Sequence, residues 1–237
     1  MRPHNLPMVM LGAGLLWFGW FGFNAGSALG AHGLAAAAFL NTLAAGCTGL
    51  LGRLFVEQSR AGHPTALGVA SGAVAGLVAI TPSCGSVSLL GALIVGLTTG
   101  AVCSYAVGWK FNYDDPLDVV CVHLVGGIIL LIGVFAVEPM TGGTEGLLHG
   151  GGLAQLGKQL VAVVAVAAYA FTVTYGIGKL IDKAMGFRAA EEQEHTGLDL
   201  TVHAETAYDH GVLGHGAPVT ASVVPSAQTE QKVKSQA

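Results

Sequence analysis

The sequence predicts an all-α polytopic membrane protein of six transmembrane helices, and three observations carry that prediction. Of the 237 residues 52% are hydrophobic and 10% charged, and ten of the 24 charged residues lie beyond Gly186. The 14 charges of the first 186 residues cannot coat a soluble domain, whose surface carries about 25–35% charged residues. Mean hydropathy is +0.63 even with a polar tail included. The chain also divides into apolar stretches of about 20 residues, the length that crosses a bilayer. Disorder, a fibrous repeat and nucleic-acid binding are excluded, because the chain is too apolar, lacks a short period and has a net charge of −4.

The chain opens on Met1-Arg2-Pro3-His4 and runs straight into apolar sequence with no small-residue cleavage site, so no cleaved signal peptide is expected. No charge stands between Arg2 and Arg53, and the turn cluster Gly30-Ala31-His32-Gly33 divides this stretch into spans at 7–29 and 34–56. A third span, 64–80, closes at Thr81-Pro82-Ser83. The fourth covers 87–107, the fifth 116–137 and the sixth 159–181. Residues 1–186 thus form the transmembrane domain, and 187–237 a tail too polar to span. With the N-terminus cytoplasmic, Arg2, Arg53, Arg60, Lys110, Lys179, Lys183 and Arg188 fall inside against Lys158 outside. That asymmetry sets the orientation and makes the C-terminus cytoplasmic.

Cys47, Cys84, Cys103 and Cys121 lack CxxC spacing and sit in or beside apolar stretches, so they are expected to pack rather than to pair or bind metal. Glycines at four-residue steps (Gly22, Gly26 and Gly30; Gly68, Gly72 and Gly76; Gly96 and Gly100) let helices approach closely in lipid.

Two clusters carry chemistry. In the first span, five aromatics between Trp17 and Phe23 continue into Asn24 and Ser27. Trp20, Phe23 and Ser27 share a helix face. The block reads either as an interfacial aromatic belt or as a cation site made of ring faces and a hydroxyl acceptor. In the fifth span stand Asp118 and His123. His123 lies about seven residues in, roughly 10 Å at 1.5 Å per residue. It is either a neutral histidine bonded to another helix or part of a pathway. Asp118 is either a helix cap or dipole partner, or a functional acid near the cytoplasmic end.

The run Leu15-Leu-Trp-Phe-Gly-Trp-Phe-Gly-Phe-Asn-Ala-Gly-Ser-Ala28 resembles the sixth membrane helix of the ammonium transporter (Amt/Mep/Rh) family. Thr81-Pro-Ser-Cys-Gly85 resembles the turn after its eighth helix, and Asp114-Asp-Pro-Leu-Asp-Val-Val-Cys-Val-His123 the start of its tenth. Gly197-Leu-Asp-Leu-Thr-Val-His203 and Ala207-Tyr-Asp209 are similar to its cytoplasmic regulatory segment. The match runs over about residues 5–210.

The resemblance implies roles: Trp20 and Ser27 in ammonium recruitment, Phe23 as pore gate, His123 as one of two pore histidines, and Asp118 at the cytoplasmic mouth. It implies ammonium or ammonia as substrate in the cell membrane and no cofactor or metal. It also implies a homotrimer and a PII-type regulatory protein at the cytoplasmic face. Family members have eleven spans in an inverted repeat, so this chain is expected to correspond to helices six through eleven and to need an N-terminal half for a closed pore. The alternative is a non-conducting ammonium sensor or regulatory half-protein. An intramembrane hydrolase is disfavoured by the absence of HExxH and GxSxG. The acidic stretch Glu191–Asp209 is expected to dock on cytoplasmic bases such as Arg53–Arg60, with disorder beyond Gly216.

Overall fold

The computed structural model describes residues 3, 5–109, 115, 117–128 and 131–205. Arg2, Lys110, Asp114, Pro116 and the tail from 206 onward, with its Ala207-Tyr-Asp motif and the stretch beyond Gly216 that was expected to be disordered, lie outside the described residues. The structure is helical, with one isolated antiparallel bridge between Val87 and Ala136 among the described residues. It groups into two compact units, residues 1–171 and 172–237.

In the first unit α1 covers Leu6–Gly26, α2 Gly33–Ala61, α3 Ala66–Ile80 and α4 Leu89–Ala106. The starts of α1, α3 and α4 have a local cause. Asn5 accepts from the Met8 amide at 3.0 Å, Thr65 from Gly68 at 2.9 Å and Ser88 from Gly91 at 3.2 Å. All three are side-chain caps for otherwise unpaired first-turn amides. α2 runs past its expected end to Ala61 and stops at Gly62, whose φ of 77° turns the chain back.

The core is the three-helix packing of α2, α3 and α4, and small residues make it. A Cβ on Gly49 would lie 2.6 Å from the Gly72 carbonyl oxygen, and one on Gly100 would overlap the Gly49 carbonyl. The Gly68–Gly72–Gly76 and Gly96–Gly100 steps are therefore spent on helix contacts. The Gly22 and Gly26 step is not, since a Cβ at either meets no atom within 4 Å.

Four helices (α1, α2, α4 and α8, Ala154–Met185) are long and apolar enough to cross a membrane among the described residues. α3 has 15 residues. The expected fifth span appears as a shorter apolar helix, Val120–Phe135, that begins later than residue 116 and runs over residues outside the described set. A π-helical turn at Val120–Leu124 leads into α5 (Val125–Ile128), followed by α6 (Leu131–Phe135). The short helix α7 (Glu138–Thr141) and a 3-10 turn at Leu147–His149 precede α8. The late start has a backbone cause, for Asp118 sits at φ 55° and cannot continue a right-handed helix. Cys84, Cys103 and Cys121 are buried as packing residues, whereas Cys47 is exposed.

The second unit holds the end of α8, the helix α9 (Glu191–Thr196) and a π-turn at Asp199–His203. Lys179 lies 5.7 Å from the Tyr175 ring centre, and Arg188 pairs with Glu194 at 3.6 Å.

Candidate functional site

The aromatic block of α1 splits around the helix. Trp17 turns toward α2, where a Cβ on Gly46 would lie 2.7 Å from its ring, and Phe21 stacks on Phe39 with centroids 4.2 Å apart. Phe18 points away and is 77% exposed. Trp20 is half-buried, and its indole N–H donates to the Thr81 hydroxyl at 2.8 Å. That hydroxyl in turn donates to the Leu77 carbonyl at 2.6 Å. Phe23 meets Trp20 edge to face, centroids 6.4 Å apart at 85°, and is 63% exposed. Leu15, Leu16, Gly19, Trp20 and Phe23 line an open cavity of about 420 Å³.

Ser27 caps the C-terminal end of α1 and is exposed. Its hydroxyl donates to the Phe23 carbonyl at 2.6 Å. With the proton spent there, the oxygen's lone pairs remain to accept from a cation. Trp20 and Phe23 thus meet through their rings, and Ser27 is tied to the Phe23 backbone at the end of α1.

Beside them lies a buried polar frame, of which the sequence reading noted Asn24 and missed Asn41. Asn24 donates to the Thr42 hydroxyl at 3.0 Å. Asn41 donates to the Cys84 and Val87 carbonyls, both at 2.8 Å. Asn24 and Asn41 are 4% and 2% exposed. The amide inside an apolar run was the available signal for each, because such a group must find partners.

His123 lies on the π-turn and is exposed, while its neighbours Cys121 and Val122 are buried. Within this chain the histidine is therefore not enclosed by the other helices. No hydrogen bond or ring contact joins it to another described residue. Counted from Val119, where helical backbone begins, His123 is only about 6 Å in. Nor does the Asp118 side chain cap the helix. Asp115 does so, with one carboxylate oxygen accepting from the Val119 amide at 2.8 Å and the other from Val120 at 2.9 Å.

Of the two bases expected to receive the acidic stretch, Arg53 is 8% exposed and its Nε donates to Glu57 at 3.2 Å. It is therefore no surface base for a docking tail. Arg60 is exposed and sits 5.1 Å from the Tyr105 ring centre. Among the described residues, no three His, Cys, Asp or Glu side chains gather as a metal site.

The model of the Ammonium Transporter Family matches residues 1–208. The chain belongs to the ammonium transporter family. It is similar to an ammonium transporter of Mycobacterium tuberculosis, with 51% identity over 221 residues, covering 89% of this chain and 46% of that one. The crystal structure of Candida albicans Mep2 superposes with a TM-score of 0.75 at 36% identity, over 81% of this chain and 45% of that one. A solved sensor Amt protein gives 0.76 at 33% identity, over 86% and 50%. The chain therefore spans about half the length of the family members it matches, and it is a multi-pass membrane protein with their helical fold.

Proposed function

We propose that this chain forms one wall of an ammonium-conducting pore, its six spans corresponding to helices six through eleven of the family's fold. It sits in the cell membrane with both termini cytoplasmic. The opposite wall is the first half of the transporter.

One observation carries this reading: three of the residues singled out by the motifs turn outward from the chain's own helices. Phe23 is 63% exposed, and Ser27 and His123 are exposed as well. An unpaired polar group costs several kcal/mol in hydrocarbon, so His123 calls for a second wall rather than lipid. Ammonium is held by Trp20, Phe23 and Ser27. Desolvation there favours proton loss, because burial penalises the charged form. The neutral amine passes Phe23 and meets His123, whose imidazole can donate, accept or relay a proton. Asp118 lies toward the cytoplasmic mouth. No metal or cofactor enters this scheme.

Membership of the family supports a homotrimer and a PII-type regulatory partner at the cytoplasmic face. The excess of basic residues on one side supports residues 187–237 as a regulatory tail on that face.

The test is growth of a transporter-deficient strain on limiting ammonium with this chain, with a five-span first half from a relative, and with both. Rescue by the pair alone is expected. Rescue by this chain alone would remove the need for a second wall, and no rescue by a folded pair would overturn the transport reading.

A further inference from the structure

We propose that Asp115 is the positioning residue for His123. The inference rests on the reading that His123 faces the conducting path, and it names what sets that side chain's direction.

The backbone around His123 is unusual at three successive points. Asp118 takes the left-handed region, at φ 55°, which costs a non-glycine residue about 1–3 kcal/mol and persists only where neighbours over-determine it. Immediately afterwards both oxygens of the half-buried Asp115 carboxylate are occupied by consecutive amides, Val119 at 2.8 Å and Val120 at 2.9 Å. The chain then enters a π-turn, Val120–Leu124, whose i→i+5 bond runs from the Val125 amide to the Val120 carbonyl. A π-turn accommodates one residue more than an α-turn, so every side chain on it is rotated from its α-helical direction. That rotation divides the turn: Cys121 and Val122 are buried and His123 is exposed.

Asp115 is the outside brace of this turn. The Val119 and Val120 amides are orphan first-turn donors that an α-helix would leave to water. Two charge-assisted bonds to one carboxylate hold them while Asp118 keeps its left-handed turn. On the far side the turn is anchored by packing, where Val122 joins Ala75 and Cys103 in a buried cluster. His123 itself makes no bond that would orient it, so its direction is inherited from the turn. Losing one oxygen of Asp115 frees one amide and lets the turn relax toward α-helical phase, swinging the imidazole.

The experiment reads the ring nitrogens of His123 by NMR in the full chain in detergent, the signal being identified by its loss in His123→Gln. In Asp115→Asn, which has one acceptor oxygen instead of two, the His123 signals are expected to shift while those of His32 and His149 stay in place. Asp115→Glu, which restores two oxygens, is expected to return them toward the original position. Unchanged His123 signals in Asp115→Asn, or a common shift of all three histidines, would overturn the proposal. If Asp115→Asn does not fold, Asp115→Ser, with a single short acceptor, is read by the same two outcomes.

A second arm pairs the chain with the five-span half and measures methylammonium uptake. Asp115→Asn is expected to lower the maximal rate on the order of tenfold through misplacement, with the half-saturating concentration unchanged and Asp115→Glu recovering the rate. A change confined to half-saturation counts against the proposal. If the unsubstituted pair does not transport while the ring nitrogens still shift, the proposed function falls and the positioning role stands. If the pair transports and the nitrogens stay fixed, the positioning role alone falls.

Discussion

Asn41 does at the residue scale what a loop of this length could not do by itself. Its amide donates to both the Cys84 and the Val87 carbonyl and so holds the turn between α3 and α4, to which Thr81 and its bond from Trp20 lead. Each buried carbonyl left unpaired costs about 1–3 kcal/mol, so Asn41→Ala should lower the thermal midpoint of the detergent-solubilised chain. Asn41→Asp should be no milder, because a carboxylate cannot donate. Arg53 and Glu57 form an asymmetric pair. Glu57 also accepts from the Thr65 amide at 2.9 Å and its hydroxyl at 3.0 Å, whereas Nη1 of the buried Arg53 has no partner. Removing the carboxylate strands a buried cation, and breaking such a pair costs about 3–5 kcal/mol. Removing the cation leaves a carboxylate that is still satisfied. Thermal unfolding should therefore rank Glu57→Ala well below Arg53→Leu in stability; equal values would contradict this account.

At the element scale, packing of α2 against α3 and α4 depends on glycine because helix backbones touch. Gly100→Leu would drive a side chain into the Gly49 carbonyl. Overpacking costs about 1–3 kcal/mol when the neighbours are side chains, and backbone yields less readily, so this variant should not fold stably as judged by size-exclusion profile. Gly22 and Gly26 provide the contrast. Nothing lies within 4 Å of a Cβ there, so Gly22→Ala in the chain alone should be neutral or slightly stabilising, since alanine is the better helix former by about 1 kcal/mol. If that step is instead a docking seam for the transporter's first half, the same substitution should weaken uptake by the assembled pair.

At the scale of the whole molecule, the helices divide into a packed core and an open wall. No residue of α8 is buried, and of α1 only Asn24 is. The exposed His123, Phe23 and Ser27 suit a partner wall. The expected consequence is measurable by chemical access. In a Cys47→Ser background, cysteine at position 123 should react with a bulky water-soluble thiol reagent in the chain alone and lose that reactivity when the five-span half is present. Reactivity that is the same in both preparations would show that the second half does not cover this face.

Much of this was readable in the residues alone, because a bilayer makes local composition decisive. Where water is absent, backbone groups must pair within a segment, so apolar length and turn clusters place helices with little help from tertiary context. The division at Gly30–Gly33, the α3 end at Ile80 and the aromatic face of α1 are all legible for that reason. Other features depend on partners far apart in sequence or on backbone conformation, and no local pattern encodes them. Asn41 finds carbonyls more than forty residues away. The Arg53 side chain is buried because α3 packs over it, where Gly72 meets its Cβ. The fifth helix starts late because Asp118 turns left-handed and Asp115, not Asp118, takes the amides. The residue types of the candidate site were thus determined by the sequence, as were the helices that carry most of them. Which way those side chains face was decided only by the tertiary structure, because a side chain's direction depends on backbone phase and on what packs behind it.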